Sequence, residues 1–412
     1  MRHLSNIGLV AFAALALCGL GRMIYNLYFH PLAKYPGPFL HRATRLAFIA
    51  RQLRGTLARD MLAFHELYGP VVRVAPDELA FSSAQAWKDI YGHRTGTRLG
   101  AEEMPKSEVF YSNHNMPRSI ISENRDNHAV LRRLMAHGFS DRSMREQESI
   151  IGAYVDLLIS RLREHAVDWD VKDERTGLQK KRKLNLVSWY NWTTFDVIGD
   201  LAFGEPFGCL DRAQYDPWVA AIWDTIRSNA FFLSVKYMGL QALTPLLDMK
   251  LKGRKEHNSR TAEKVRRRAE MSVERPDLIE GLLSKKEELG FRRLTTNASV
   301  LILAGSETTA TLLSGATYLL LSNPETLRRL TEEVRSSFKS DDEITLLSVG
   351  NLTYMLACLN EAMRCYPPVP VGLPRTVPRG GGTIAGNEVP ERVSLSPCPR
   401  RWTRPGGIVH NH

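Results

Sequence analysis

The sequence predicts a single large, mainly α domain with a small β portion, tied to a membrane by its N-terminus. Three observations carry that prediction. Leu4–Phe29 is an almost unbroken apolar run, and apolar residues recur at three-to-four spacing through most of the remaining chain. One short stretch, Val71 to Phe81, is rich in β-formers around a Pro76-Asp77 turn and reads as a strand pair. A chain of 412 residues with 43% apolar content can bury a substantial core.

The N-terminal run is long enough, at about 1.5 Å per residue, to cross a hydrocarbon layer of roughly 30 Å. Arg22 lies near its end and can snorkel to the interface, the level that also suits Tyr25 and Tyr28. A cleaved signal peptide is the rival reading. It is weakened by an n-region with only Arg2 and by the aromatic-rich flank. Arg42, Arg45, Arg51 and Arg54 follow and place the body on the cytosolic side. The plan is then an anchor at 1–30 and a hinge with a basic juxtamembrane region at 31–60, containing the stiff Tyr35-Pro36-Gly37-Pro38 turn. A folded body follows at 61–392, and a divergent tail rich in Pro, Arg and Gly at 393–412.

Within the body, helical periodicity covers Ile150–Leu162, Trp192–Phe203, Trp218–Phe232 and Ser322–Phe338, the last opened by Asn323-Pro324-Glu325. Ala298–Leu321 is a second long apolar stretch, with Glu307 near its centre. An acid at mid-bilayer costs about 2.5–3.5 kcal/mol or more, so a helix buried in the body is expected rather than a second membrane span.

The 55 Lys and Arg residues outnumber 44 Asp and Glu, a formal charge of +11. No zinc-finger or RNA-recognition motif accompanies the basic sets at 34–59 and 250–268, so no nucleic-acid partner is expected; the second set reads as a solvated helix face. Five cysteines form no C-x-x-C pair, which suits a reducing compartment and excludes a disulfide scaffold or structural zinc. Cys358 and Cys365 share a helix face and read as small core residues.

Chemistry concentrates in Ala304-Gly305-Ser306-Glu307-Thr308-Thr309. A small Ala-Gly pair lets a flat cofactor approach the backbone, and beside it an acid and a hydroxyl sit in an apolar helix, where unpartnered polar groups are costly. Such a pair can relay protons. The bland alternative is a Thr bonded back to the preceding turn and a Glu paired with an Arg. Further on, Glu361-Ala362-Met363-Arg364 precedes Tyr366-Pro367-Pro368; Glu and Arg three apart share a face and can pair bidentately.

Taken in this order and spacing, these elements resemble the oxygen-activating helix and the E-x-x-R element of the cytochrome P450 family of haem-thiolate monooxygenases. Tyr28–Pro38 and Thr194–Gly204 look like stretches of fungal secondary-metabolism members, and the resemblance runs from the anchor to about Pro390. It implies the P450 fold, incomplete at the C-terminus, and a haem cofactor. Glu307 and Thr308 would be catalytic, Ala304 and Gly305 would lie against the haem, and His128, Arg132 and Arg375 would bind it through its propionates. Glu361 and Arg364 would form a structural ion pair, and Val369, Pro370 and Val371 would face substrate.

The activity implied is insertion of one oxygen atom from O2 into a hydrophobic secondary metabolite of terpenoid or polyketide type. Electrons would come from NADPH through a membrane-bound cytochrome reductase, with the protein single-pass in the endoplasmic reticulum membrane and its body cytosolic. One departure matters. The family's F-x-x-G-x-R-x-C-x-G element does not occur in these 412 residues, and Cys398 has none of its flanking pattern, so no residue is assigned to the metal. The alternative expectation is therefore a truncated, catalytically inactive, membrane-tethered remnant.

Overall fold

The structure is a computed structural model that describes residues 2–93, 103–112, 117–172, 179–244, 252–271 and 277–397. Its residues group into two compact units. The first takes residues 1–111, 228–248 and 369–412; the second takes 112–227 and 249–368.

The first unit is built on a small sheet. Helix α1 (Arg2–Ile24) passes into one π-helical turn (Tyr25–Phe29), and Leu9–Phe29 is the one described helix long and apolar enough to cross a membrane. Two short helices follow, α2 (Phe39–Ala43) and α3 (Arg45–Leu53). The strand pair expected from the β-rich run is present as β1 (Val71–Ala75) and β2 (Glu78–Phe81), antiparallel across the Pro76-Asp77 turn. Two late strands complete the sheet in the order β1-β2-β4-β3, where β3 is Arg375–Thr376 and β4 is Ser394–Pro397. Strand β4 runs parallel to β2, a pairing that needs a crossover connection and here joins residues more than three hundred positions apart.

One expectation is corrected in this unit. Residues 393–397 do not start a divergent tail: Val393 and Leu395 are core residues, and Ser396 donates to the buried Glu78 carboxylate at 2.9 Å. Residues 31–60, expected as a hinge around a stiff proline turn, are packed into the unit. Leu32 and Tyr35 are buried, and Gly37 lies so close to the Arg73 backbone that a Cβ would collide with it. The basic residues of that region are partly committed: Arg45 pairs with Asp77 and, at 2.6 Å, with Glu78, while Arg51 bonds Asp60 at 2.5 Å.

The second unit is helical, apart from the strand pair Val167–Lys172 and Gln179–Lys181. Its helices include α4 (Arg125–Ala136), α5 (Leu186–Phe203), α6 (Lys252–Glu270), α7 (Phe291–Ser322), α8 (Pro324–Ser337) and α9 (Thr353–Cys365). Helix α7 runs through the unit, and Leu294, Ala298, Leu301 and Ile302 join the core with Phe195, Ile198, Leu201 and Ala202 of α5. The long apolar stretch is thus a buried helix of the body, and its apolar face packs on protein. Three basic residues of α6 are paired: Lys264 and Arg267 reach Glu205 at 2.8 and 2.7 Å, and Arg268 reaches Asp277 at 2.6 Å. Lys250, from the same run, lies outside the described residues.

Cys365 is exposed and Cys358 only half-buried, so the expectation that both are core residues fails. Leu356 and Met363, also exposed, lie on the opposite side of α9. Cys398 lies outside the described residues.

Candidate functional site

The centre of α7 departs from an ordinary core helix. Ser306 is fully buried and returns its hydroxyl to the Ile302 carbonyl at 2.6 Å. On the other side Ala304 is exposed and Thr308, one turn on, is half-exposed, so two small side chains sit on an open face of the helix, with Leu303 and Thr309 also exposed beside them. The Thr308 hydroxyl donates to the Ala304 carbonyl at 2.6 Å, the back-bonded geometry anticipated as the bland alternative. A hydroxyl in that bond still has lone pairs free to accept.

Glu307 behaves differently. Its Oε1 is buried and, among the described residues, has no hydrogen-bond partner. Among the described residues no Arg pairs with it, so the second half of the bland alternative is not met there. Burial alone pushes its pKa up to about 7. A group with that pKa holds a proton near neutrality and can release it, which suits general acid work.

Gly305 lies where α5 packs on α7. A Cβ there would come 2.7 Å from Ile198 Cδ1, so the close approach that needs this glycine is the packing of α5 on α7. The same logic, missed in the sequence, applies to Gly315, where a Cβ would meet the Tyr366 ring at 2.6 Å and α7 could not lie against the end of α9.

Glu361 and Arg364 form the expected bidentate pair, with both N···O distances at 2.5 Å. The Arg364 hydrogen bonds hold the Glu361 carboxyl below its usual range. The pair is not deeply buried, however: the Glu361 side chain is 56% exposed and that of Arg364 16%. Arg364 Nη1 is nonetheless buried and unpartnered among the described residues.

On α4, Leu131 and Met135 face the core, which leaves His128 half-buried and Arg132 exposed; among the described residues Arg132 makes no ion pair. Arg375 belongs to the first unit. Its guanidinium lies 5.5 Å from the Tyr91 ring centroid, its Nη1 is 3.5 Å from the Met104 carbonyl, and its buried Nε has no acceptor among the described residues. An arginine lacking a carboxylate partner has capacity left for an anion. Val369 and Val371 are exposed in that same unit, as is Pro370.

Sequence reasoning passed over the buried acids, among them Asp196. Asp196 on α5 accepts the backbone N–H groups of Phe207 and Cys209 on Oδ1, at 3.0 and 3.1 Å, and of Leu210 on Oδ2 at 2.8 Å. An acid inside the apolar run Thr194–Gly204 was the available signal.

A mainly helical body, with a long central helix bearing a bare small-residue face and an unpaired acid, is the build of a haem monooxygenase. Comparison with known proteins makes the family explicit. The family model described as cytochrome P450 matches residues 36–398, and the chain belongs to the cytochrome P450 family. It is 49% identical over 393 residues to a cytochrome P450 monooxygenase of Talaromyces stipitatus, covering 93% of this chain and 75% of the relative. It is 41% identical to an averantin hydroxylase of Dothistroma septosporum (96% and 74% covered). To a trichothecene C-15 hydroxylase of Fusarium sporotrichioides it is 42% identical (94% and 78% covered). The chain thus spans about three-quarters of the length of these relatives.

Proposed function

We propose that this protein inserts one oxygen atom from O2 into a hydrophobic secondary metabolite with a terpenoid or polyketide skeleton. The observation that carries the reading is Glu307, half-buried beside an open small-residue face of α7, with a buried Oε1 that has no partner among the described residues. Two of its relatives are named as hydroxylases, which supports the reaction type.

Haem is the cofactor that the family implies, and when bound it would supply the reductive activation of oxygen, tuned by a cysteine thiolate. In the second unit, Ala304 and Thr308 leave room for a flat group and Arg132 makes no ion pair among the described residues; in the first unit, Arg375 has a buried Nε without an acceptor among the described residues, so each arginine would have capacity for a propionate. The thiolate-bearing motif does not occur in the 412 residues.

In this reading Glu307 holds a proton at its carboxyl, poised near neutrality by burial. The Thr308 hydroxyl, fixed as a donor to the Ala304 carbonyl, would accept a hydrogen bond from water on its lone pairs and so order the path by which the Glu307 proton is delivered at the open face. His128 and Arg132 of α4, with Arg375, orient the cofactor's carboxylates. Glu361 and Arg364 brace α9, and Val369, Pro370 and Val371 meet the substrate.

Electrons come from NADPH through a membrane-bound reductase. The Leu9–Phe29 helix anchors the chain in the endoplasmic reticulum membrane with its body cytosolic. Of the three N-x-[ST] sequons, Asn191 and Asn297 are buried, so only the exposed Asn351 can report on topology, and it is expected unglycosylated.

The test is to co-express the gene product with a reductase in yeast microsomes and supply a panel of terpenoid and polyketide skeletons. A product carrying one added oxygen, formed only with NADPH, is expected; T308A should consume NADPH while yielding little product. A haem-loaded protein that binds members of the panel yet oxygenates none would overturn the proposal.

A further inference from the structure

The turn that carries the chain out of the apolar Leu9–Phe29 segment can be traced atom by atom within the first unit. Asn26 lies in the π-helical turn, three residues before the span ends, yet it is 4% exposed. Its side chain donates to the Ala43 carbonyl of α2 at 2.9 Å. Its own carbonyl accepts from Arg73 Nη1 at 2.8 Å.

Arg73 is a strand residue with no exposed surface and, among the described residues, no carboxylate partner. It is satisfied by backbone instead: Nε and Nη2 both reach the Pro76 carbonyl, at 3.0 and 2.7 Å, and its N–H donates to the Pro36 carbonyl at 2.7 Å. Burying a guanidinium without an anion is costly, and burial together with Arg42 pulls its pKa down to about 10. A hydrophobic residue would close an ordinary strand face at less cost. What the arginine adds is a bond from the sheet to the end of the anchor.

We infer that Arg73 and Asn26 together clamp the anchor helix to the sheet, so that the angle between anchor and first unit is set by the protein and not by a flexible tether. The clamp has a consequence for lipid contact. It seats α2, about 7 Å long by its rise per residue, beside the last anchor turn. Phe39 and Leu40 on α2 are 60% and 58% exposed, and Tyr28 and Phe29 on the anchor turn are 69% and 71% exposed. Held together, these four side chains form one apolar rim continuous with the span, suited to the headgroup–acyl boundary. This inference rests on reading Leu9–Phe29 as a membrane anchor.

The experiment uses the full chain with one spin label on Cys18 of the anchor and one on Lys88→Cys, an exposed site in the first unit. The other accessible thiols are replaced by Ser, and distances are read by electron–electron double resonance in nanodiscs and in detergent. A single narrow distance is expected in both media. N26L, which removes only the bond to Ala43, and R73M should each lose the narrow peak to a broad distribution. An unchanged narrow peak in N26L, or in an R73M protein of native helix content, would refute the clamp; if R73M does not fold, N26L decides. Flotation with liposomes tests the underlying reading separately. Failure to float would sink the anchor while leaving a narrow peak in detergent.

Discussion

Asp196, buried, and Glu307, half-buried, are carboxyls on two helices, α5 and α7, that pack against each other in one unit, and they could hardly be treated more differently. Asp196 is surrounded by backbone donors; burial pushes its pKa up, and the N–H groups of Leu210, Cys209 and Phe207 pull against that rise. Glu307 has burial and nothing else. An acid saturated by fixed donors locks a loop, here Phe207 to Leu210. An acid left unsatisfied costs stability and persists where a proton must be held and moved. Burial alone therefore does not mark a functional carboxyl; the lack of a partner does.

The comparison breaks first at Asp196. D196A leaves three backbone N–H groups without their acceptor, each costing about 1–3 kcal/mol when buried, so a loss of roughly 3 kcal/mol or more is expected. Urea denaturation of the expressed body measures it. A loss below ~1 kcal/mol would mean that water replaces the carboxylate at that loop.

A smaller loss is expected at the E-x-x-R pair. The Glu361 side chain is more than half exposed, so solvent screens part of the attraction. E361A should cost about 1–2 kcal/mol, less than the 3–5 kcal/mol typical of a fully buried pair. A cost above that range, by the same denaturation, would place Arg364 in a drier setting than the one described.

Next is Glu307, where the effect lies in pH dependence. Its folded pKa, about 7, is above the unfolded carboxylate value near 4.5, so the folded state holds a proton that the unfolded state has released. Stability contributed by this group is full below the unfolded value and declines as pH rises from there to about 7. E307Q carries no such titration. Its melting temperature should fall less than that of the parent between pH 5 and 7. Parallel melting curves for the two proteins would show that Glu307 is solvated after all.

The smallest effect belongs to Thr308. T308V loses one hydrogen bond to the Ala304 carbonyl on a half-exposed face, about 1 kcal/mol at most. Its value lies in contrast: near-native melting together with uncoupled NADPH consumption would separate chemistry from structure at this position.

Much of the protein was legible in its residues. The anchor is a matter of length and hydropathy, and the strand pair at Val71 to Phe81 follows from composition and a Pro-Asp turn. The buried course of α7 follows from an acid too costly for lipid, and the Glu361–Arg364 pair from helical spacing. Each rests on interactions within a few residues or on transfer from water, and both are properties of a local segment. Tertiary structure decided the rest, because it depends on which distant segments meet. It made Ser394–Pro397 a strand by parallel pairing with Glu78–Phe81. It turned Gly305 toward Ile198, left Cys365 in the open, and set Arg73 against the end of the anchor. It also left Glu307 without a partner while giving Asp196 several. Whether a buried polar group is satisfied depends on donors brought in from other parts of the fold, so no stretch of sequence carries the answer by itself.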